Sequence, residues 1–419
     1  MPAPTLRVAL AALPAALLAA STLHAQPVRK DAAAAAVAPA AGGVRPGIEV
    51  LLSDSIHLVR GKRVGLITNH SGRDRSGTST IDLLARTPGV RLTALFALEH
   101  GIRGAIQAGG TVTSTTDSAT GVPIYSLYGA SHVPTAEMLK DVDVIVYDIQ
   151  DVGARVYTYQ WGMAIAADSA NKPFIVLDRP DPVRADRIDG GVLDPRFRSY
   201  VGGYPVALRY GLTPGELLRY LNGTGQISAD VKVVPMQGYT RSMWYDDTRL
   251  AWVNPSPNLR DMDATTVYTG TVLFEGTNVS EGRGTDQPFR LVGASWLTDA
   301  GAIAAELNAM RIAGVRFDSV TRTMEPGFKY PGQTIPMLHV TVTDRDRVVP
   351  IEVGVRMLRA IYARHKSEFQ WRIPQIDRLA GSDRLRAAVE QDRVDALLGT
   401  LAEESRRFAA EARKYWLYK

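Results

Sequence analysis

The feature that most constrains the fold is an alternation, beginning near residue 62, of short apolar runs with segments of helical spacing. Helical patterns lie among the runs at 79–86, 157–171 and 214–221. Strands that alternate with helices form βαβ units, so the sequence predicts an α/β fold built on a parallel sheet. The runs with the apolar, β-branched composition of buried strands are 63–68 (RVGLIT), 90–98, 143–149 (DVIVYDI), 174–177 (FIVL) and 231–234.

The pattern changes after about residue 263. Two runs, 271–274 and 337–343, have the composition of strands. The sequence therefore predicts two domains, an α/β domain at 47–263 and a smaller α+β domain at 264–419. The segments of helical spacing in the second domain are 300–310, 353–365 and most of 383–415.

The start of the chain is predicted to lie outside the fold. Residues 1–25 have the pattern of a secretory signal peptide, with an apolar segment at 8–23 ahead of the small residue Ala25. Residues 26–46 are mostly Ala, Pro, Gly and Val without periodicity, which predicts a disordered linker. No later stretch holds the ~18 consecutive apolar residues of a membrane span. We therefore expect a periplasmic or secreted protein with no stable membrane insertion.

The composition excludes several kinds of chemistry. The chain of 419 residues contains no cysteine, which removes disulfides, thiolate metal sites and a cysteine nucleophile. Its formal charge of +5 is interspersed, with no basic and aromatic stripe, so nucleic acid is not an expected partner. The seven histidines have no metal-ligand spacing, and GxGxxG, GxxxxGK[ST], HExxH and GxSxG motifs are missing. We expect neither a metal nor a cofactor. Carboxylate chemistry remains, and glycoside hydrolysis is its commonest use in an exported enzyme.

Polar clusters follow each of the first four predicted strands. The carboxyl ends of parallel strands meet at one edge of a sheet, so these clusters are expected to converge into a site. Each cluster alone could instead cap a helix or form a structural ion pair. The clusters are Asn69 and His70; Glu99, His100 and Arg103; Asp148, Asp151 and Arg155, followed by Tyr157 and Tyr159; and Asp178 with Arg179. A fifth cluster, in a glycine-rich loop of the second domain that could complete the site, holds Glu275, Asn278, Glu281 and Arg283.

Over about residues 46–419 the sequence resembles the exo-β-N-acetylmuramidase family, formerly a domain of unknown function. The segments that carry the resemblance are ITNHSG (67–72), EHGIRG (99–104), DIQDVGARVYTY (148–159), VLDRPDP (176–182), WVNPSPNL (252–259) and EGTNVSEGRGT (275–285). The resemblance implies a Rossmann-like N-terminal domain and a smaller C-terminal domain that closes a cleft over the sugar. It also implies release of N-acetylmuramic acid from the non-reducing ends of peptidoglycan fragments in cell-wall turnover. Leu98 and Asp181 depart from the family pattern, which has proline and asparagine there.

The resemblance further implies roles in catalysis. The family's catalytic glutamate falls in the EHG segment and thus on Glu99, which we expect to be the proton donor, with His100 beside it. A glycosidase needs a second group as nucleophile or base. The candidates for that second role are Asp148, Asp151, Glu275, Glu281 and the substrate's own acetamido group.

The expected ligands are peptidoglycan-derived muramyl saccharides. Muramic acid carries a lactyl carboxylate that glucosamine lacks, and a guanidinium can pair with it through two hydrogen bonds. Arg103, Arg155 and Arg283 are candidates, and Arg103 is preferred because it follows Glu99 by only four residues. The remaining side chains expected to bind the substrate are Asn69, His70, Tyr157, Tyr159, Glu275 and Asn278.

Two other functions stay open from the residues alone. Export and several Ser and Thr residues suit a serine hydrolase or penicillin-recognising enzyme, although no GxSxG elbow is present. The other is a non-catalytic peptidoglycan-binding protein, which a turnover assay separates from an enzyme. The sequence leaves open whether anomeric configuration is retained and whether the protein forms oligomers.

Overall fold

The computed structural model describes residues 42–103, 106, 109–129 and 131–419. The predicted signal peptide and residues 26–41 of the predicted linker lie outside the described residues. The end of that linker is already folded, because the Val44 N–H donates to the Thr248 carbonyl at 3.0 Å and Arg45 pairs with Gln237. The folded chain therefore begins before residue 46.

The helices and strands follow the alternation seen in the sequence. The strands are β1 (Arg63–Thr68), β2 (Arg91–Ala97), β3 (Thr115–Thr116), β4 (Pro123–Ser126), β5 (Val144–Asp148), β6 (Phe174–Leu177), β7 (Asp189–Val192), β8 (Ala207–Arg209), β9 (Val231–Val234), β10 (Leu291–Gly293), β11 (Val315–Thr323) and β12 (Thr334–Val342). The α-helices are α1 (Gly47–Asp54), α2 (Thr80–Arg86), α3 (Tyr159–Ser169), α4 (Pro214–Gly223), α5 (Met262–Thr271), α6 (Ala300–Ala309), α7 (Pro350–Arg364), α8 (Ile373–Ala380), α9 (Arg384–Glu390) and α10 (Val394–Ala412).

Seven strands form one large sheet in the order β3-β4-β2-β1-β5-β6-β9. Its neighbours are parallel except for β3, which runs antiparallel to β4. Numbered along the chain, the six parallel strands follow the order 3-2-1-4-5-6 that defines the Rossmann arrangement. The predicted α/β class is therefore confirmed. The order reverses between β1 and β5, and ligands bind such sheets at the carboxyl ends of the strands at that point.

The large sheet is covered on both faces, which explains its near-continuous apolar strands. β5 and β6 are buried along their whole length. Ile48 of α1 and Leu84 of α2 belong to the apolar cluster on one face, and Trp161 of α3 belongs to the larger cluster on the other. Helix starts are fixed by capping: Thr213 and Glu216 form a capping box at the start of α4.

The second half of the chain forms a smaller antiparallel sheet in the order β10-β12-β11, with helices around it. The strand predicted at 271–274 is wrong, because α5 continues to Thr271 and residues 272–276 form a 3₁₀-helix. Val272, Leu273 and Phe274 are almost completely buried. A short apolar run that is buried on every side gives the same pattern in a strand and in a helix.

Two glycines allow α5 and α7 to cross closely. A methyl group on Gly270 would overlap the carbonyl oxygen of Pro350, and one on Gly354 would overlap the carbonyl oxygen of Gly270. Since α5 leads directly into the 3₁₀-helix at 272–276, this crossing sets the position of that turn.

We expect Gly270→Ala to lower the free energy of unfolding by about 1–3 kcal/mol, because the extra methyl group overpacks the helix crossing. Gly399→Ala in α10 is the matched control, since no atom lies within 4 Å of the added methyl group. That variant is expected to gain about 0.5–1 kcal/mol from helix propensity. Urea unfolding of both variants measures the difference, and a Gly270→Ala protein as stable as wild type would contradict the tight crossing.

Candidate active site

Loops from neighbouring strands meet where the strand order of the large sheet reverses. Asn69 follows β1, Glu99 follows β2 and Asp151 follows β5. The chain turns directly after Glu99, since His100 has a φ of 67° and Gly101 a φ of 70°. Positive φ is uncommon for a residue other than glycine, so this turn is a specific feature of the EHG segment.

Glu99 is held at both carboxylate oxygens. Its Oε1 accepts hydrogen bonds from the Tyr128 hydroxyl at 2.9 Å and the Gly109 N–H at 3.1 Å. Its Oε2 accepts one from the Thr158 hydroxyl. Burial and the neighbouring Glu99 charge raise the pKa of Tyr128, which keeps the phenol protonated as a donor. An ionised carboxylate accepts hydrogen bonds and donates none, so three surrounding donors suit a charged Glu99 and fix the orientation of its side chain.

A cavity of about 100 Å³ lies beside Glu99 and is lined by both halves of the chain. Aromatic rings form part of its wall. The ring centres of Tyr157 and Tyr268 lie 6.2 Å apart in an edge-to-face arrangement, and the ring centre of Phe289 lies 4.8 Å from that of Tyr268. Its full lining is Glu99, His100, Val156, Tyr157, Thr158, Val201, Ser256, Asn258, Leu259, Tyr268, Val272, Glu275, Arg283, Phe289 and Leu379.

The second half contributes a charged group of four side chains to this region. Arg283 Nη2 lies 2.7 Å from Glu275 Oε1, and its Nε lies 3.7 Å from Glu281 Oε1. Lys329 Nζ lies 2.9 Å from Glu281 Oε2. Burial raises the pKa of Glu275, and the Arg283 guanidinium opposes that rise. Arg283 also lies over the ring of Phe289, at 5.3 Å from its centre.

His100 is an uncharged neighbour of Glu99. Burial lowers the pKa of its imidazole, although the carbonyl of Ile106 and the Glu99 charge oppose the effect. The ring hydrogen-bonds that carbonyl through Nδ1, which places the proton on Nδ1 and leaves Nε2 as an acceptor. His100 therefore adds a neutral acceptor to the cavity wall and no positive charge.

Five of the residues named from the sequence line this cavity: Glu99, His100, Tyr157, Glu275 and Arg283. Glu281 is not among the lining residues, and its carboxylate forms an ion pair with Lys329. Sequence reasoning missed Thr158, Tyr128 and Lys329. Thr158 lies inside the DIQDVGARVYTY segment and could have been named, but Tyr128 follows a strand that was not predicted, and nothing in the sequence marks Lys329.

Three buried candidates are bonded to other parts of the protein interior, called the framework below, and do not line the cavity. Asp148 has no exposed surface and is ion-paired with Arg179. Arg155 is also completely buried and donates to the carbonyls of Gly191, Val206 and Leu379. Asp151 accepts a hydrogen bond from the Tyr210 hydroxyl. Residue type alone did not reveal these internal partners, and a direct role for the three residues at the substrate stays a prediction.

Arg103, the arginine preferred from the sequence, also lies outside the cavity. Its side chain is 70% exposed and pairs with the buried Asp117 at 3.0 Å. The turn at His100 and Gly101 separates it from Glu99 despite the short distance along the chain. Of the three candidate arginines, Arg283 is the one among the residues that line the cavity, and the role expected for Arg103 stays a prediction.

The other polar candidates make contacts that position loops. The side-chain oxygen Oδ1 of Asn69 accepts from both the N–H and the hydroxyl of Ser71. His70 hydrogen-bonds the Asn254 carbonyl at 2.6 Å. The Tyr159 hydroxyl donates to the Pro255 carbonyl at 2.8 Å, and the Asn278 amide bonds the backbone of Glu368 and Gln370. None of these four candidates is among the residues that line the cavity.

Two general features complete the description of the site. Within residues 42–103, 106, 109–129 and 131–419, no group of three or more His, Asp or Glu side chains is arranged to hold a metal ion. Over the same part of the chain, no helix is both long and apolar enough to cross a membrane. The ionisable groups that line the cavity are two carboxylates, an imidazole, a guanidinium and the phenols of Tyr157 and Tyr268.

A Rossmann-like sheet whose edge presents a fixed carboxylate to a small cavity defines an α/β enzyme with carboxylate chemistry, a class that includes glycoside hydrolases. Residues 64–263 match the family described as Exo-beta-N-acetylmuramidase NamZ, N-terminal, and residues 266–418 match its C-terminal counterpart. The chain belongs to the exo-beta-N-acetylmuramidase NamZ family, which confirms the resemblance found in the sequence and the expectation of a glycoside hydrolase.

Individual relatives agree with this membership. Peptidoglycan beta-N-acetylmuramidase NamZ of Bacillus subtilis (strain 168) is 42% identical over 381 residues, which cover 90% of this chain and 91% of that protein. Two crystal structures of DUF1343 family proteins from Bacteroides fragilis NCTC 9343 share the fold. One has a TM-score of 0.84 at 34% identity and the other 0.70 at 29%. Each match covers 90% of this chain, and 100% and 99% of the respective structures.

Asp181, one of the two departures from the family pattern, is buried behind the site. It lies against Gly153 in the loop after β5. Its Oδ1 accepts from the Val183 N–H at 3.1 Å, while its Oδ2 has no hydrogen-bond partner among the described residues. Burial raises the pKa of Asp181 to about 6, against the attraction of Arg209 and Arg241.

We expect Asp181→Asn to stabilise the protein in a pH-dependent way. The pKa of Asp181 in the folded state exceeds the unfolded value of about 3.9, so stability is lost as the pH rises and the buried group ionises. Removing the charge should therefore gain little near pH 4 and about 2–3 kcal/mol above pH 7. Urea unfolding of both proteins across this range tests the prediction, and a gain that does not change with pH would contradict it.

Proposed function

We propose that this protein is an exo-acting glycoside hydrolase that releases N-acetylmuramic acid from the non-reducing ends of peptidoglycan fragments. Glu99 is its main catalytic carboxylate. The observation that carries the proposal is a fixed, buried carboxylate and a partly buried guanidinium, Glu99 and Arg283, lining one cavity. Family membership and the named activity of the Bacillus subtilis relative support the same substrate class.

The placement of Glu99 suits hydrolysis of a glycosidic bond. Glycosidases pass through a transition state with positive charge at the sugar ring, which a nearby carboxylate stabilises. Three hydrogen bonds hold Glu99 in one direction before substrate binds, so little reorganisation is needed during the reaction. The description of the family as Exo-beta-N-acetylmuramidase NamZ supports exo action.

Arg283 supplies a means to recognise muramic acid. The lactyl ether distinguishes this sugar from glucosamine by one carboxylate, and a guanidinium can bind a carboxylate through two parallel hydrogen bonds. Arg283 lines the cavity with a side chain only 21% exposed, whereas Arg103 is mostly in solvent. We therefore assign recognition of the lactyl group to Arg283.

The predicted signal peptide supports a location in which this substrate occurs. Peptidoglycan lies outside the cytoplasmic membrane, so a periplasmic or secreted enzyme would meet its fragments directly. Together with release of single sugars from chain ends, this location is consistent with a role in cell-wall turnover and recycling.

Replacing Glu99 by glutamine should remove most turnover of an N-acetylmuramyl–N-acetylglucosamine disaccharide. The expected loss is about 10²–10⁴-fold in kcat/KM, the usual contribution of a carboxyl group in acid–base catalysis. Glu137→Gln is the matched control, because this carboxylate is 75% exposed and pairs only with Lys140 in the contacts described. A folded Glu99→Gln enzyme within about threefold of wild type would show that another carboxylate is the main one.

Replacing Arg283 by alanine should reduce the preference for a β-N-acetylmuramide over the matching β-N-acetylglucosaminide. Loss of one partner of a buried charge pair costs roughly 2–5 kcal/mol, so the ratio of kcat/KM values should fall about 30-fold or more. Arg103→Ala is the control and should leave the ratio within about twofold. An unchanged ratio in Arg283→Ala would remove Arg283 as the reader of the lactyl group.

A further inference from the structure

We propose that Glu275 is the proton donor of the reaction, and that the lactyl carboxylate of the substrate prepares it by taking over the guanidinium of Arg283. This inference rests on the proposed function. It changes the role expected for Glu99, which becomes the charged carboxylate that faces the developing positive charge. The inference begins from the positions of the candidate carboxylates.

Only two of the candidate carboxylates line the cavity, and they come from different halves of the chain. Glu99 follows β2, and Glu275 lies on the 3₁₀-helix at 272–276. Asp148 and Asp151 are enclosed in the framework, and Glu281 is bonded to Lys329 behind Arg283. The pair available to a bound sugar is therefore Glu99 and Glu275.

The two carboxylates have different surroundings. Neutral donors hold Glu99 at both oxygens, an arrangement that suits an ionised group. The hydrogen bond described for Glu275 comes from one cation, Arg283, at 2.7 Å. Two carboxyl groups in such different environments can divide the work, one protonated and one charged, as acid–base pairs in enzymes do.

The charges that face Glu275 decide its protonation. Burial raises the pKa of its carboxyl group, and this is the largest influence. The positive charges of Arg283 and, more weakly, Lys329 lower this pKa. The negative charges of Glu281 and Glu99 raise it. Tyr268 is a further titratable neighbour, and burial holds its pKa well above the usual value, so it stays a neutral phenol. If Arg283 turns to another anion, the strongest influence that keeps Glu275 ionised is lost.

The balance of charge around the cavity favours such an exchange. Among the described residues, three carboxylates, Glu99, Glu275 and Glu281, interact with the two cations Arg283 and Lys329. His100 does not add a third, because burial lowers the pKa of its imidazole. A lactyl carboxylate would add a further negative charge to a partly buried region, which is costly unless a proton enters with it.

Arg283 can accept a second anion. Its Nε is buried without a hydrogen-bond partner among the described residues, and it lies 3.7 Å from Glu281 Oε1. A guanidinium has five N–H donors, and Glu275 uses only one of them in the resting protein. The substrate carboxylate can therefore approach Arg283 before Glu275 is released.

The reaction then balances in protons and electrons. The lactyl carboxylate pairs with Arg283, and Glu275 takes one proton from water. Glu275 gives this proton to the glycosidic oxygen while the C1–O bond breaks and its electron pair stays on that oxygen. The leaving sugar departs as an alcohol, and the Glu99 carboxylate stabilises the positive charge at C1. Water supplies the hydroxyl group at C1 and releases one proton.

The leaving group provides the first test. Glu275→Gln should lose about 100-fold or more in kcat on the N-acetylmuramyl–N-acetylglucosamine disaccharide, whose leaving alcohol needs a proton. On 2,4-dinitrophenyl β-N-acetylmuramide it should stay within about threefold of wild type, because dinitrophenolate leaves without a proton. Glu99→Gln should lose activity on both substrates. Equal losses on both substrates for Glu275→Gln, or no loss on either, would overturn the assignment.

Binding of free N-acetylmuramic acid provides the second test, and wild-type protein suffices for it. Titration calorimetry at pH 7 in two buffers of different ionisation enthalpy should show uptake of about one proton. N-acetylglucosamine should bind without uptake, and Glu275→Gln should abolish the uptake with muramic acid. No uptake in wild type would overturn the exchange at Arg283. A wild-type enzyme that cleaves neither substrate would instead refute the proposed function.

Discussion

The buried ion pair between Asp148 and Arg179 is the interaction on which the arrangement of the site depends. Asp148 ends β5, and Arg179 lies just after β6. Arg179 also donates to the Arg73 carbonyl at 2.7 Å, and Asp148 accepts from the Thr80 hydroxyl at the start of α2. The pair thus ties together the loops that follow β1, β5 and β6. Removing one partner of a buried pair typically costs about 3–5 kcal/mol, so these loops are fixed to one another.

Charged residues that hold the fold together are distinct from the charged residues that line the cavity. Asp148, Arg155 and Arg179 satisfy one another or backbone carbonyls, and none of them lines the cavity. Glu99 and Arg283 line the cavity and come from opposite halves of the sequence. Burial alone does not distinguish the two groups.

The sheet could be predicted from the sequence because each central strand is buried on both faces and therefore reads as an apolar run. The position of Glu99 could be predicted because it directly follows such a run. The partners could not be predicted, since Asp148 and Glu275 are the same kind of group and only tertiary contacts separate them. The positive φ of His100 likewise sends Arg103 away from Glu99, and no local pattern records that turn. The run at 271–274 was misassigned because a strand and a buried helix share its composition.

Because both halves of the chain line the cavity, formation of the site depends on folding of the whole chain. Glu99 takes its hydrogen bonds from Tyr128 and Thr158, while Arg283 and Glu275 arrive from a part of the sequence made much later. No contiguous fragment of the chain that lacks either half contains the complete set. The complete site therefore forms only when folding brings Glu275 and Arg283 against the loops that hold Glu99. We therefore expect hydrolytic activity only from a folded chain that includes both halves.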